Sequence, residues 1–213
     1  MTLKIVNLGL PKTGTTTLAK ALRRAGYRVA DHKIRAKQTD DVTLHNQYIE
    51  DLLYRGYYET GDPGTLLGGF DVITEMSMIG DDKSIWPQMD FGLINAIRDH
   101  HPGVKFLASN RDSWDISQSM LAWSNLGMAR LPDNAIPGLP EGYGETSKER
   151  VQWIEGHYAH LRALFGKDDD FLEYDVAAPD IKDLLSGFLG CTVAWWGRAN
   201  ANPEHKDTES EVA

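Results

Sequence analysis

The stretch Leu3-Lys4-Ile5-Val6-Asn7-Leu8-Gly9-Leu10-Pro11-Lys12-Thr13-Gly14-Thr15-Thr16-Thr17-Leu18 decides the fold. Its apolar run over 3–8 predicts a buried strand, and a turn with two glycines follows directly. Apolar residues then recur at helical spacing, at Leu18, Ala21, Leu22 and Ala25. Gly26 is typical of the position just beyond a helix end. Strand, glycine turn and helix in this order predict the first half of a βαβ unit.

Short apolar runs and helical patterns alternate along the rest of the chain. The runs that predict strands are 3–8, 27–31, 70–75, 104–109 and 171–176. The helical patterns cover 44–56, 113–123, 148–165 and the segment after Pro179, and a further helical stretch leads to Pro102 and Gly103. This alternation predicts an α/β fold, a three-layer sandwich whose mainly parallel central sheet is covered by helices on both faces.

The length of 213 residues fits one α/β domain, which we place at 1–200. Within it, residues 126–146 contain three prolines and four glycines without apolar periodicity. We therefore expect a long loop there that serves as a lid or acceptor-binding loop. Residues 201–213 are polar and acidic, which predicts a flexible tail.

Charge and composition exclude several classes of partner. A formal net charge of −9 argues against broad binding to nucleic acid or anionic membranes, although a small anionic ligand needs only a local cluster of donors. The single cysteine, Cys191, excludes an internal disulfide and fits a reducing compartment. Without a signal peptide or an apolar run long enough to cross a bilayer, the sequence predicts a cytoplasmic protein with no integral membrane association. It gives no indication of oligomeric state.

The turn after the first strand predicts an anion-binding loop. Backbone N–H groups and the positive end of the following helix surround an anion at such a turn, and the hydroxyls of 15–17 add donors. Gly9 and Gly14 have the spacing of the triphosphate-binding loop G-x-x-x-x-G-K-[ST], but Thr15 stands at its lysine position and the lysine is Lys12. A strand, turn and helix that bind no ligand are the alternative.

The run Pro11-Lys12-Thr13-Gly14-Thr15-Thr16-Thr17 resembles the 5′-phosphosulfate-binding loop of the sulfotransferases that use 3′-phosphoadenosine 5′-phosphosulfate (PAPS). The fold of that family is related to the P-loop kinases, and its loop carries the lysine in this early position. The resemblance implies that residues 11–17 bind the 5′-phosphosulfate of PAPS. It also implies that Lys12 stabilises the leaving phosphate during transfer.

A second motif follows the strand at 104–109. Sulfotransferases have an arginine at the end of a strand and a serine eight residues later on a helix, and both hold the 3′-phosphate of the donor. Arg111 and Ser119 have this spacing. An arginine fork can bind a phosphate through two parallel hydrogen bonds. A surface arginine and an unrelated helix serine are the alternative.

The third motif concerns the general base. Cytosolic members of the family end a strand with T-H-L-P, in which the histidine is the base, whereas Thr74-Glu75-Met76-Ser77 stands here. Other branches use a glutamate, so the resemblance implies Glu75 as the base, with an ion-paired acid as the alternative. Asp31 and His32 are rival bases, because some branches place the catalytic acid shortly after the helix that follows the loop.

The segment Phe188-Leu189-Gly190-Cys191-Thr192-Val193-Ala194-Trp195-Trp196-Gly197-Arg198-Ala199-Asn200 is similar to the last segment of the family, which closes over the donor phosphate. Arg198 and Asn200 are candidates for that contact. Trp195 and Trp196 are candidates for stacking on adenine, with core packing as the alternative. No metal is predicted, because a solvated helix face explains the neighbouring His157 and His160 equally well.

Together the motifs predict a small bacterial-type PAPS-dependent sulfotransferase that acts on a hydroxyl or amine of a small-molecule acceptor. Aromatic residues that could form the acceptor pocket are Tyr57, Tyr58, Trp86 and Trp123. Two other functions remain open. A P-loop kinase-like phosphotransferase would require magnesium and a triphosphate, and a non-catalytic module would bind a nucleotide without turnover.

Overall fold

The computed structural model describes residues 2–80 and 83–199. Its main sheet has five strands, which are β1 (Ile5–Asn7), β2 (Val29–Asp31), β3 (Val72–Glu75), β6 (Lys105–Asn110) and β7 (Phe171–Asp175). They are all parallel and lie in the order β2-β3-β1-β6-β7. Two short antiparallel strands, β4 (Met78–Ile79) and β5 (Ser84–Ile85), form a separate ribbon after β3.

Helices cover both faces of the main sheet. They are α1 (Thr15–Arg24), α2 (Ile49–Thr60), α3 (Phe91–His100), α4 (Ser113–Leu121), α5 (Ser147–Phe165) and α6 (Ile181–Leu189). Successive strand residues point to opposite faces of a sheet. Accordingly, Ile5 packs in one core layer with α1 and α6, and Val6 packs in the other with α2, α3, α4 and α5. The predicted three-layer α/β sandwich is confirmed.

The second helix does not end where the sequence pattern predicts. The stripe over 44–56 predicts an end at Gly56, but α2 continues through Gly56 to Thr60 and ends at Gly61, which adopts the left-handed conformation with φ 84°. A Cβ at Gly56 would lie 2.7 Å from the carbonyl oxygen of Asp62. Gly56 is therefore required by close packing of the chain that follows, not by the end of the helix.

The segment 126–146 is mostly irregular, as predicted, except that Leu126–Arg130 forms a π-helical turn. The prediction of no regular element is wrong for those five residues. Leu131, Ile136 and Leu139 are buried in the core cluster. These buried side chains tie the segment to the domain at several points, because each would expose apolar surface to water if the segment detached.

The topology creates a crevice at one edge of the sheet. All five strands are parallel, so the segments that follow β1, β3 and β6 leave the sheet at the same edge. Strand β1 has β3 as its neighbour on one side and β6 on the other, so the connections between strands lead away from β1 in both directions. Ligands of open α/β sheets bind where strand order reverses in this way. None of the described helices is long and apolar enough to cross a membrane.

Candidate active site

A cleft of about 1320 Å³ opens at this edge of the sheet. It brings together nearly all of the residues that the sequence motifs predict for the site. Those that line it are Pro11, Lys12, Gly14, Thr15, Thr16, Thr17, Asp31, His32, Glu75, Arg111, Ser119 and Arg198. Within the predicted loop 11–17, Thr13 does not line it.

The loop before α1 presents its backbone to the cleft. Lys12 and Gly14 adopt left-handed conformations, with φ of 73° and 81°, and Gly14 precedes the first turn of α1. No side chain in the described part of the chain caps that turn. Its first backbone N–H groups therefore have no partner within the helix and, together with the helix dipole, can bind an anion.

Thr13 shapes the loop instead of presenting its hydroxyl. Its side chain is buried, donates to the carbonyl oxygen of Leu10 over 2.6 Å and lies 2.8 Å from the hydroxyl of Ser109. Asn7 joins the same network, because its amide donates to Ser109 Oγ and to the carbonyl oxygen of Thr74. The end of β1 is thus bonded to β3 and β6, which fixes the start of the loop.

Helix α5 anchors the loop from behind. His157 donates from Nε2 to the carbonyl oxygen of Leu8 over 2.8 Å, and burial lowers the pKa of His157 to about 4, so the ring is neutral. Tyr158 donates to the carbonyl oxygen of Ser109 over 2.7 Å. The prediction that His157 lies with His160 on a solvated face is wrong for His157, which is buried, and right for the exposed His160.

Lys12 lies at the centre of the cleft wall. Its Nζ lies 3.6 Å from the centroid of the Trp123 ring, a cation–π contact. Burial and the neighbouring Arg111 charge lower the pKa of Lys12 to about 8, while Glu75 acts in the opposite direction. The ammonium therefore lies close enough to Arg111 and Glu75 for their charges to change its pKa.

Arg111 lines the cleft and has a buried donor without a partner among the described residues. Its Nη2 donates to the carbonyl oxygen of Asp115 over 2.5 Å, but its Nε is buried and has no hydrogen-bond partner among residues 2–80 and 83–199. A buried unpaired donor is costly, particularly on a charged group. Lys12, Arg111 and the uncapped start of α1 share the cleft, and this donor set suits a ligand with more than one phosphate or sulfate group.

Glu75 ends β3 inside the same cleft. The Ser77 hydroxyl and, over 3.2 Å, the Ser77 N–H donate to its Oε1. Burial raises the pKa of the Glu75 carboxyl above its usual range, while the hydroxyls of Ser77 and Thr15 act in the opposite direction. A partly desolvated carboxylate with a raised pKa is suited to accept a proton from a bound ligand.

His32 is held by a buried carboxylate that the sequence analysis missed. His32 follows β2 with φ 49°, and its backbone N–H donates to the carbonyl oxygen of Glu75 over 3.0 Å. Its Nδ1 lies 2.9 Å from Oε1 of Glu50, which is fully buried on α2. The hydrogen bond to Glu50 raises the pKa of His32, and burial raises the pKa of Glu50.

No spacing rule connects Glu50 with His32, which explains why the sequence did not reveal the pair. The contact arises because the start of α2 packs beside the end of β2. Asp31, the third predicted base, is less available. Its Oδ1 pairs with Arg23 over 2.9 Å and accepts a hydrogen bond from Gln38 over 3.0 Å, so that oxygen already has protein partners.

The C-terminal segment borders the loop and α1. Ala199 donates its N–H to the Thr17 hydroxyl over 3.2 Å, and Trp196 donates to the carbonyl oxygen of Val176 over 3.0 Å. Trp196 and Arg198 line the cleft, whereas Trp195 packs against the Arg24 guanidinium 4.3 Å from its ring. Asn200 and the predicted tail at 201–213 lie outside the described residues.

The other side of the cleft is more apolar. Trp86 and Trp123 line it together with Ile79 and Leu126. The prediction that Tyr57 and Tyr58 also belong to this pocket is wrong, because they lie on α2 away from the cleft and Tyr58 is 78% exposed. In the described part of the chain, no three His, Cys, Asp or Glu side chains are grouped so that they could hold a metal ion.

Comparison with known proteins identifies a family. A family model described as a sulfotransferase domain matches residues 4–205, which is nearly the whole chain. The matched range includes the loop, the end of β3 and the Arg111 motif. A search among curated proteins finds no match.

Proposed function

The chain belongs to the sulfotransferase domain family, and from that premise we propose that it transfers a sulfuryl group from PAPS to a hydroxyl or amine of a small acceptor. When bound, PAPS supplies the sulfuryl group: its sulfur–oxygen bond to the 5′-phosphate breaks as a new bond forms to the acceptor. The observation that carries the proposal is the convergence of Lys12, Arg111 and Glu75 on one cleft.

The donor set fits this substrate. The turn at Lys12–Gly14 and the uncapped first turn of α1 would hold the 5′-phosphosulfate through backbone N–H groups, with the Thr15, Thr16 and Thr17 hydroxyls as further donors. Arg111 and Ser119 line the cleft on the adjacent wall and would hold the 3′-phosphate. The unpaired Nε of Arg111 supports this assignment, since a phosphate oxygen would satisfy it.

Lys12 would stabilise charge at the leaving phosphate. The ammonium is partly desolvated, and electrostatic interactions are stronger in such a site than in water. A fixed cation near the developing negative charge requires little reorganisation during the reaction. With a pKa of about 8, Lys12 is also a feasible proton donor to the departing phosphate at neutral pH.

Glu75 would take the proton from the acceptor as the new bond forms. Its position at the end of β3 places it beside both the loop and the apolar wall, where an acceptor would enter. His32 is the second candidate base. Glu50 fixes its Nδ1, and the His32 side chain is 46% exposed, which leaves the opposite edge of the ring accessible. Asp31 is the third candidate, and its ion pair with Arg23 counts against it.

We also propose that residues 126–146 form the acceptor-binding loop. We further propose that the protein acts in the cytoplasm. Leu126 and Arg130, at the start of that loop, line the cleft, which supports a role in acceptor binding. A reducing setting agrees with a single cysteine, Cys191.

A transfer assay tests the proposed function. The protein is incubated with ³⁵S-labelled PAPS and a panel of phenols, alcohols and amines, with and without a chelator of divalent metals. We expect labelled product that is insensitive to the chelator and formed about 10²–10³-fold more slowly by the Lys12→Ala variant. A P-loop kinase would instead transfer phosphate from ATP and stop when magnesium is removed. Phosphate transfer of that kind, without any sulfuryl transfer, would contradict the proposal.

A further inference from the structure

Five basic side chains line the cleft. They are Lys12, Arg35, Arg111, Arg130 and Arg198. Among the described residues, none of them forms an ion pair with a carboxylate. The acidic residues Asp31, Glu75, Asp112, Asp115 and Asp175 also line the cleft, so its formal charges balance. The basic groups without an ion-pair partner can nevertheless each contact an anionic ligand.

The donor in the proposed function accounts for three of these charges. Lys12 belongs to the loop, Arg111 to the 3′-phosphate site, and Arg198 to the C-terminal segment that borders α1. Arg35 and Arg130 are left over. We call the apolar side of the cleft, with Trp86 and Leu126, the acceptor end. Both arginines belong to segments beside it: Arg35 follows His32 by three residues, and Arg130 ends the π-helical turn that begins with Leu126.

Arg130 is the better placed of the two remaining arginines. Its Nη1 donates to the carbonyl oxygen of Ile79 in β4 over 3.3 Å, a long contact that holds the side chain across the cleft wall. Its Nε is buried and unpaired in the part of the chain that the structure describes. This is the same feature that marks Arg111, and a buried guanidinium donor without a partner favours a bound anion.

The surfaces next to Arg130 are apolar. Ile79, Trp86 and Leu126 line the cleft, as does Trp123, whose ring contacts Lys12. Trp86 and Leu126 are almost fully buried and therefore form a firm wall. An anion bound by Arg130 would consequently be attached to a body that covers aromatic and aliphatic side chains.

We propose that the acceptor carries its own anionic group, a carboxylate, phosphate or sulfate, on an aromatic or other apolar body, and that Arg130 binds this group. Arg35, which is exposed, adds a second positive charge at the mouth of the cleft. The proposal rests on the proposed function, because it assigns Lys12, Arg111 and Arg198 to the donor. It makes Arg130 a residue that selects among acceptors.

A matched pair of probes tests the proposal without requiring turnover. The probes are 2-naphthoate and 2-naphthalenemethanol, which share an aromatic body and differ in the negative charge. Calorimetry first measures binding of adenosine 3′,5′-bisphosphate and then, on the saturated protein, binding of each probe. We expect naphthoate to bind at least about tenfold more tightly, the difference that one good charge-assisted hydrogen bond provides.

Variants assign the effect to Arg130. Arg130→Gln should abolish the preference for naphthoate while leaving the affinities for naphthalenemethanol and the bisphosphate unchanged. Arg55→Gln is the matched control. It removes an exposed guanidinium from α2 that does not line the cleft, so the preference should be retained. An equal affinity for the two probes, no naphthoate binding at millimolar concentration, or a preference that survives Arg130→Gln overturns the proposal. Failure of the bisphosphate to bind would instead count against the proposed function.

Discussion

The two ends of the cleft are built in different ways. The donor end consists mainly of backbone, from the loop between β1 and α1, and a buried network of Asn7, Thr13 and Ser109 fixes its position. The acceptor end consists of side chains from β3, β4 and the π-helical turn, which are distant in sequence. The backbone contacts of the donor end therefore persist when a side chain is replaced, whereas each contact of the acceptor end can be removed by one substitution.

This difference separates the chemistry from its specificity. In the proposed reaction, Lys12 would stabilise the charge that develops at the donor end, next to N–H groups whose geometry is set by the fold. At the acceptor end, Glu75, Trp86 and Arg130 each come from a separate segment. We expect substitutions of Lys12 and of the base Glu75 to change turnover, and substitutions of Trp86 and Arg130 to change which acceptor is used.

The largest expected effect is that of Lys12→Ala. Removing a preorganised cation at the leaving group should reduce kcat by about 10²–10³-fold and leave the KM for the acceptor within about twofold. Steady-state kinetics at saturating PAPS measures both constants. Lys20→Ala is the control, because it removes an exposed lysine from α1, the helix that follows the loop. A kcat near that of the unmodified protein would remove Lys12 from the mechanism.

Glu75→Gln should have the next largest effect, a fall in kcat of about 10²-fold, because general base catalysis usually contributes that much or more. The pH dependence of kcat/KM gives an independent check. The unmodified protein should lose activity on the acid side as Glu75 becomes protonated, above the usual glutamate range because its pKa is raised. On the alkaline side, activity should fall above about pH 8 as Lys12 loses its proton.

The Glu75→Gln variant should lose the acid limb of that profile and keep the alkaline limb. Glu59→Gln, on the exposed face of α2, is the matched control and should retain both limbs. Full activity in Glu75→Gln, with the acid limb intact, would transfer the role of base to His32.

Glu50→Gln should have the smallest effect of the three. Glu50 raises the pKa of His32 through their hydrogen bond, so its replacement should lower that pKa while kcat falls by no more than about tenfold. The charges facing the His32 ring also include Glu75 and Asp31, which the variant leaves in place. An NMR titration of the His32 ring measures the shift. An unchanged pKa of His32 would show that the Glu50 contact does not control its protonation.

The donor end could be predicted from sequence because its determinants are local. The residues from Gly9 to Thr17 are contiguous, and Arg111 and Ser119 lie eight positions apart across a strand end and a helix. The fold class could also be predicted from the sequence, because the alternation of apolar runs and helical patterns is a short-range signal. The family match over residues 4–205 agrees with the fold class, and the matched range includes both motifs.

The acceptor end could be predicted only in part. Trp86 and Trp123 line the cleft, but Tyr57 and Tyr58 were misplaced, because residue type alone does not reveal which face of α2 meets the sheet. Glu50 and Arg130 carried no recognisable motif. Their importance arises from burial and from contacts between remote segments, and neither property has a spacing that sequence analysis can detect.

The central claim is that the donor end is built for a 3′-phosphorylated nucleotide and not for a nucleoside triphosphate. Calorimetry that compares adenosine 3′,5′-bisphosphate with ATP, each with and without magnesium, tests it most directly. We predict that the bisphosphate binds at least about tenfold more tightly than ATP, independently of magnesium, and that Arg111→Gln removes most of this advantage. Tighter binding of magnesium ATP, or equal affinities that Arg111→Gln does not alter, would contradict the account.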